Sequence, residues 1–337
     1  MKAIVQRAYG EPEEVLSLQD VPMPAIKPDE VLVRVKATSL HPDVWHVVTG
    51  LPYVLRLMGA GVRRPKHRIP GTDLAGVVES VGTSVAGFKP GDEVFGESIK
   101  GYQWTNGGSF AEYAAVRGEN LALKPANVTF EQAASVPTSG YIALSGLRDQ
   151  GKLKAGQKIL INGAGGGVGF LAVQIAKAFG TEVTAVDNTS KMDLLRSAGA
   201  DHTIDYMQED FTQGTERYDL ILDIPGNRSF SEIKSALTPN GLYVLISHDG
   251  YGRTRGKWFG SLPRVFGLMV RTPFDRYLAM SGFSSPGKKE TMAVLRDLIE
   301  ARKVTPVVGK TFPLAEAAQA IRYLADGQAV GKVVLTV

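Results

Sequence analysis

The chain has no cysteine anywhere in its 337 residues. That excludes disulfide bonds and every thiolate metal site. Histidine is also scarce: His41, His46, His67, His202 and His248 are scattered, and none falls at a ligand-pair spacing on a helix or hairpin. No apolar run is long enough to span a bilayer. No basic-plus-apolar leader opens the chain, because residues 1–5 run straight into a strand pattern, so a cytoplasmic protein is the expectation. A large charge excess is missing too. Lys and Arg total 38 against 34 Asp and Glu, a formal net charge of +4. Such a balance helps an anionic small molecule approach but does not make a nucleic-acid binder. Internal repeats and low-complexity tracts are absent. At 44% hydrophobic and 21% charged residues the composition is that of an ordinary globular protein. The length points to two domains.

What is present is organised around residues 158–169, K-I-L-I-N-G-A-G-G-G-V-G. Ile159, Leu160 and Ile161 form the continuous apolar run of a buried parallel strand. After the glycines, Val168, Leu171, Ala172, Ile175, Ala176 and Phe179 recur at helical spacing. The glycines therefore sit at a strand-to-helix junction, where free backbone N–H groups and the positive end of the helix dipole can hold a pyrophosphate. The fingerprint reads Ala164-x-Gly166-x-x-Gly169, with alanine in its first position. A tight turn alone would also use glycines. The flanking strand and helix, a second strand over 182–186 and the acidic Asp187 at its end favour a dinucleotide site.

Two regimes flank this centre. Up to about residue 125, short strands over 2–7, 31–37, 75–81, 93–95 and 110–116 alternate with Gly/Pro turns, and only a short helix over 44–49 interrupts them. This predicts a compact, barrel-like β unit. From Thr129, a plausible helix cap, helices over 130–135 and 138–149 lead into alternating elements. Strands are expected over 158–162, 182–186, 202–205, 220–223 and 242–247, with helices over 191–198 and 229–237 and a turn at 238–241. Such alternation means a doubly wound parallel sheet. Residues 249–285 are basic, Gly-rich and aromatic, and packing or dimerisation is expected of them ahead of membrane contact. Helices over 289–302 and 314–324 and a strand over 332–337 complete the chain.

Several blocks stand in a familiar order: P-G-T-D-L-A-G-V-V-E-S-V-G (70–82), F-K-P-G-D-E-V-F-G (88–96), G-G-S-F-A-E-Y (107–113), V-P-T-S-G-Y-I-A-L (136–144), the glycine loop, S-A-G-A-D-H-T-I-D-Y (197–206), and a tail with F-P-L-A-E-A-A-Q-A-I and G-K-V-V-L. Together they resemble the medium-chain dehydrogenase/reductase superfamily, in its zinc-independent quinone oxidoreductase branch. The resemblance implies an α/β protein. Its Rossmann doubly wound parallel sheet would span 126–307, and its GroES-like β-rich catalytic domain 1–125 and 308–337, commonly in a homodimer. It also implies an NAD(P)H-dependent enzyme that passes hydride to a quinone, enone or related conjugated carbonyl. Other small-molecule substrates on the same fold, an enoyl thioester or an alcohol/aldehyde pair, and cofactor binding without turnover remain alternatives. Zinc-dependent members carry His-Glu where this chain has Thr72-Asp73, so no metal is expected. The carbonyl oxygen would then be polarised by hydrogen-bond donors or a proton source.

For the cofactor, Asp187 at the end of the second strand reads as a ribose ligand and points to NADH. By resemblance, Lys191 and Tyr206 match the residues that hold a 2′-phosphate, which points to NADPH. The balance tips slightly to NADPH. The resemblance further places Thr138, Ala164, Gly166, Gly167, Val168, Gly169, Leu245, Ser247 and Lys332 around the cofactor. For the chemistry, His41 replaces an Asn that usually helps hold the nicotinamide, and Asp43 follows Pro42 directly. His46 and Tyr53 fall near a position where reductase relatives carry a tyrosine facing substrate. The His41 imidazole can still donate a hydrogen bond there, and either His46 or Tyr53 could supply a proton.

Overall fold

The continuous apolar runs become the inner strands of a parallel sheet. A computed structural model describes residues 1–99, 105–246, 256–279, 288–327 and 329–337. Within them a five-stranded parallel sheet runs in the order His202–Asp205, Glu182–Asp187, Lys158–Asn162, Tyr218–Asp223, Leu237–Leu245. Ile159, Leu160 and Ile161 are buried, as strands covered on both faces must be. The winding reverses between Lys158–Asn162 and Tyr218–Asp223. At the carboxyl ends of those two strands a crevice opens, the position where such sheets bind ligands.

The β-rich part forms a seven-stranded sheet, mostly antiparallel. Strands Val308–Pro313 and Lys332–Thr336 from the far end of the chain join Glu30–Leu40, Asp73–Val81, Glu93–Glu97 and Leu121–Leu123, and Tyr113–Arg117 pairs with Glu30–Leu40. Register shifts between Glu30–Leu40 and Asp73–Val81 bend the sheet towards a barrel, consistent with the GroES-like class. The two parts share one apolar cluster, which runs from Ala75 and Phe95 through Val136 and Leu144 to Ile161 and Leu171.

Several expectations change. The helix expected over 229–237 is Phe230–Ser235, and the turn signal at 238–241 lies inside strand Leu237–Leu245. There it produces a register shift: Leu237 pairs with Tyr218, but Leu242 with Leu220. The strand expected over 110–116 is Tyr113–Arg117, because the Phe110 carbonyl turns away to accept from the Ile4 N–H at 2.9 Å. Strand Leu16–Asp20, paired with Lys2–Gln6, was hidden because none of its residues is buried. Within 249–285, Leu262–Arg271 is helical and has no buried residue. Thr129 does cap helix Phe130–Ala134, in a reciprocal box with Gln132.

Candidate active site

The glycine loop is fixed before any ligand arrives. Gly163 leaves the first strand at φ +81°. The Gly163 and Ala164 N–H groups donate to the Val186 carbonyl at 3.0 Å each, and the Gly165 N–H donates to Asp187 Oδ2 at 2.8 Å. Helix Gly167–Ala178 then starts with its free N–H groups at the crevice. Gly166, Gly167, Val168 and Gly169 line a cavity of 200 Å³, facing His41, Lys191, Ser139 and Lys332. A Cβ at Gly166 would meet nothing closer than 3.6 Å, so space remains over the loop. Over Gly165 and Gly167 lie the stems of Lys191 and Lys332, whose Cδ atoms would stand 2.3 and 2.6 Å from an added Cβ, so the opening at this helix N-terminus, where a pyrophosphate fits, is over Gly166. Ala164 is fully buried and acts through its backbone. Larger hollows of 660 and 820 Å³ lie elsewhere and include no residue of the loop.

The rival cofactor determinants turn out to be partners. Lys191 Nζ lies 3.4 Å from Asp187 Oδ1, and both are largely buried. The Asp187 carboxylate also accepts from the Asn188 N–H at 2.9 Å. The Tyr206 N–H donates to the Asp187 carbonyl at 3.1 Å, and its ring is 47% exposed. Asp187, Lys191 and Tyr206 therefore form one group at the end of the second strand.

A second, fully buried group lies on the other side. Asp73 Oδ1 accepts from the Thr138 N–H (3.1 Å) and Thr138 Oγ1 (2.5 Å), and Asp73 Oδ2 accepts from Ser39 Oγ at 2.9 Å. Lys332 Nζ stands 3.7 Å from Asp73 Oδ2 and donates to Ser139 Oγ at 3.1 Å. Complete burial pulls the Lys332 ammonium below the usual lysine range, against the opposing pull of Asp73. Thr138 Oγ1 also lies 2.9 Å from Glu97 Oε1, and Glu97 pairs with Lys288. The Thr138 hydroxyl is thus engaged by carboxylates, and its neighbour Ser139 lines the cleft.

Of the three candidate catalytic residues, it is His41 that lines the cleft. It is 5% exposed, its Nε2 is 2.7 Å from Thr72 Oγ1, and its Nδ1 is 3.2 Å from Asp43 Oδ2. Among the described residues Nδ1 has no aligned hydrogen-bond partner, so Asp43 acts on it by charge. Asp43 and Thr72 flank His41, and of the three it is His41 that lines the cleft. His46 is not brought there: its Nδ1 lies 2.7 Å from the Leu51 carbonyl and its ring packs edge-on to Trp45. Tyr53 stacks edge-on against Trp258, with Arg56 over its ring. Leu245 lines a different, 50 Å³ cavity beneath helix Leu262–Arg271. Ser247 and His248 lie outside the described residues. Sequence reasoning did not pick out Asp73, Ser139 or Glu97. Position 73 carried a signal, since it follows the site of the zinc-binding histidine. No three His, Asp or Glu side chains among the described residues are placed to share a metal ion.

The chain resembles known proteins over its whole length. Residues 27–126 match the alcohol dehydrogenase GroES-like domain, and residues 198–335 match a domain described as zinc-binding dehydrogenase. The chain is 33% identical to the 2-methylene-furan-3-one reductase of Solanum lycopersicum over 99% of its own length and 79% of that protein. It is also 33% identical, with the same coverage, to the chloroplastic NADPH-dependent alkenal/one oxidoreductase of Arabidopsis thaliana. The quinone oxidoreductase of Coxiella burnetii superposes with a TM-score of 0.82 at 29% identity, covering 100% of this chain and 99% of that one.

Proposed function

The chain belongs to the medium-chain dehydrogenase/reductase superfamily, in its quinone oxidoreductase-like branch, and from that premise we propose that it reduces quinones and conjugated enones at the expense of NADPH. In this reading residues 126–307 hold the nucleotide, and 1–125 with 308–337 form the catalytic part. The observation that carries it is the cleft itself, where the glycine loop and His41, held between Asp43 and Thr72, line one cavity. When bound, the nicotinamide supplies the hydride. The protein contributes the rest. Gly166, Gly167 and Val168 seat the pyrophosphate at the helix N-terminus. Lys191 and Tyr206 take the 2′-phosphate. Asp187 does not oppose it, because its carboxylate is already held by the Gly165 N–H and Lys191. Lys332, steadied by Asp73 and Ser139, closes the floor of the cleft. His41 donates the proton that completes reduction, to carbon or to oxygen of the acceptor, while Asp43 offsets the charge on its ring and Thr72 orients it.

The test is NADPH oxidation over a panel of quinones, enones, enoyl thioesters and aldehydes, run with cofactor deuterated at the transferred position. Label on the carbon β to the carbonyl of enones supports the reading. Label on the carbonyl carbon assigns alcohol chemistry instead, and binding without turnover on any acceptor removes the enzymatic reading.

A further inference from the structure

Two segments far apart in sequence meet on one face of the molecule. The Tyr53 and Val54 N–H groups donate to the carbonyls of Lys257 and Trp258 at 2.7 and 3.1 Å. One side of this junction is the loop after helix Pro42–Thr49, and the other leads into helix Leu262–Arg271. At the junction Trp258, packed on Tyr53, is 70% exposed, and further along the same two segments Leu57 (75%), Val62 (63%), Phe266 (55%), Val270 (70%) and Phe274 (88%) also stand in water. The inner side of the helix is accounted for, because Val265, Leu268 and Met269 line the small cavity against Tyr243 and Leu278. The outer side, Phe266 and Val270 with Phe274 one turn beyond, is exposed among the described residues. A patch of this kind on a soluble chain marks a contact surface.

The charge around the patch identifies what it contacts. Within the two segments, between Val44 and Thr72 and between Gly256 and Phe274, there is no acidic residue. Of the acids on helix Pro12–Val15 and its cap, which pack beside the first segment, Glu11 and Glu13 are paired with Arg322 and Glu14 is exposed. Arg63, Arg64, Lys66, Lys257 and Arg271 are all exposed in the two segments. The next acid, Asp275, is held by Lys234 at 3.1 Å. A second copy of this face would set cations against cations. An anionic bilayer satisfies both features at once, with aromatic and aliphatic side chains at the headgroup–acyl boundary and Lys/Arg on the phosphates. We infer that this face docks on an anionic lipid surface. The only span between His41 and the junction is helix Pro42–Thr49 with its short exit loop, and eight helical residues are about 12 Å long. Docking therefore brings the catalytic cleft close to the bilayer and presents it to a lipid-dissolved quinone. This consequence for the substrate rests on the reductase reading above; the docking itself does not.

The experiment is co-sedimentation of the full chain with vesicles of phosphatidylcholine alone or mixed with phosphatidylglycerol, at low and high salt, with light scattering for oligomeric state. Binding should require phosphatidylglycerol and weaken at high salt. Arg63→Glu/Arg64→Glu should lower partitioning by about tenfold or more. Phe266→Asp/Val270→Asp should abolish it even at low salt. Both double variants should keep wild-type NADPH oxidation with a water-soluble quinone and lose rate on a long-chain quinone held in anionic vesicles. No sedimentation with either vesicle overturns the docking. So does a dimer that Phe266→Asp/Val270→Asp splits without any change in vesicle binding, which would assign the face to a second copy. Vesicle binding with equal rates on the lipid-held quinone removes the substrate consequence alone. Vesicle binding with no oxidation of NADPH by any acceptor removes the reductase reading and leaves the docking standing.

Discussion

At the scale of single residues, the proposed mechanism divides the cleft into groups that bind and groups that react. Lys191 is the one cation among the cavity's lining residues that stands beside Asp187. Its removal leaves Asp187 facing the ribose without a counter-charge. Lys191→Ala should raise KM for NADPH about tenfold, as expected for one charge-assisted contact, and leave KM for NADH nearly unchanged. Steady-state kinetics with both nucleotides decide it, and equal effects on the two would take Lys191 off the 2′-phosphate. His41 belongs to the other class. His41→Ala should lower kcat on enones about a hundredfold with little change in NADPH affinity, and added imidazole should restore part of the rate. Thr72→Val keeps the imidazole but removes its 2.7 Å partner, so a smaller loss of about tenfold is expected. If imidazole rescues nothing, His41 shapes the cleft without supplying a proton.

At the scale of elements, neighbouring glycines of the loop should fail in different ways. A Cβ at Gly169 would lie 2.3 Å from the Gly163 carbonyl and 2.5 Å from the Ala164 Cα, so the helix would have to lift off the strand. Gly169→Ala should cost about 3 kcal/mol or more and be read as a lowered Tm. Gly166 has an extended backbone (φ −84°, ψ 172°) that alanine adopts freely, and its Cβ would enter the cleft. Gly166→Ala should keep its Tm and lose cofactor affinity in fluorescence titration. The loop and the parallel sheet were legible because strands buried on both faces write continuous apolar runs and their crossover helices write 3.6-residue periodicity. Strand Leu16–Asp20 has no buried residue, and such a strand leaves no pattern. The group around His41 was only half legible. His41 and Asp43 are two residues apart, but Thr72 reaches them through sheet pairing between Glu30–Leu40 and Asp73–Val81, which no local spacing reports. His46 and Tyr53, rather than His41, were the proton donors expected from the sequence; the turn of helix Pro42–Thr49 carries them away from the cleft.

At the scale of the whole molecule, Asp73 ties together three stretches of chain. It sits in the antiparallel sheet, accepts from Thr138 at the start of helix Pro137–Leu144, and faces Lys332 on the strand returning from the far end of the chain. That helix packs against helix Gly167–Ala178 of the nucleotide-binding part. Removing one partner of a buried ion pair leaves the other charge without compensation, at about 3–5 kcal/mol. Asp73→Asn preserves shape and should therefore lower Tm sharply near neutral pH. The pH dependence has a definite sign. Burial already holds Lys332 below its unfolded range, and the loss of Asp73 lowers it further. In the window between the folded and unfolded values the unfolded chain binds the extra proton, so stability rises with pH. The Asp73→Asn deficit should thus shrink as pH climbs from neutral into the alkaline range. Adding Lys332→Met, which removes the stranded charge, should recover most of the lost stability at neutral pH and abolish the pH slope, with cofactor affinity still impaired because the cleft has lost one of the two lysines that line it. Calorimetry of the single and double variants at neutral and alkaline pH reads both effects. A deficit that is the same at every pH, or a double variant no more stable than Asp73→Asn, would mean that Asp73 holds the domains through Thr138 and Ser39 alone.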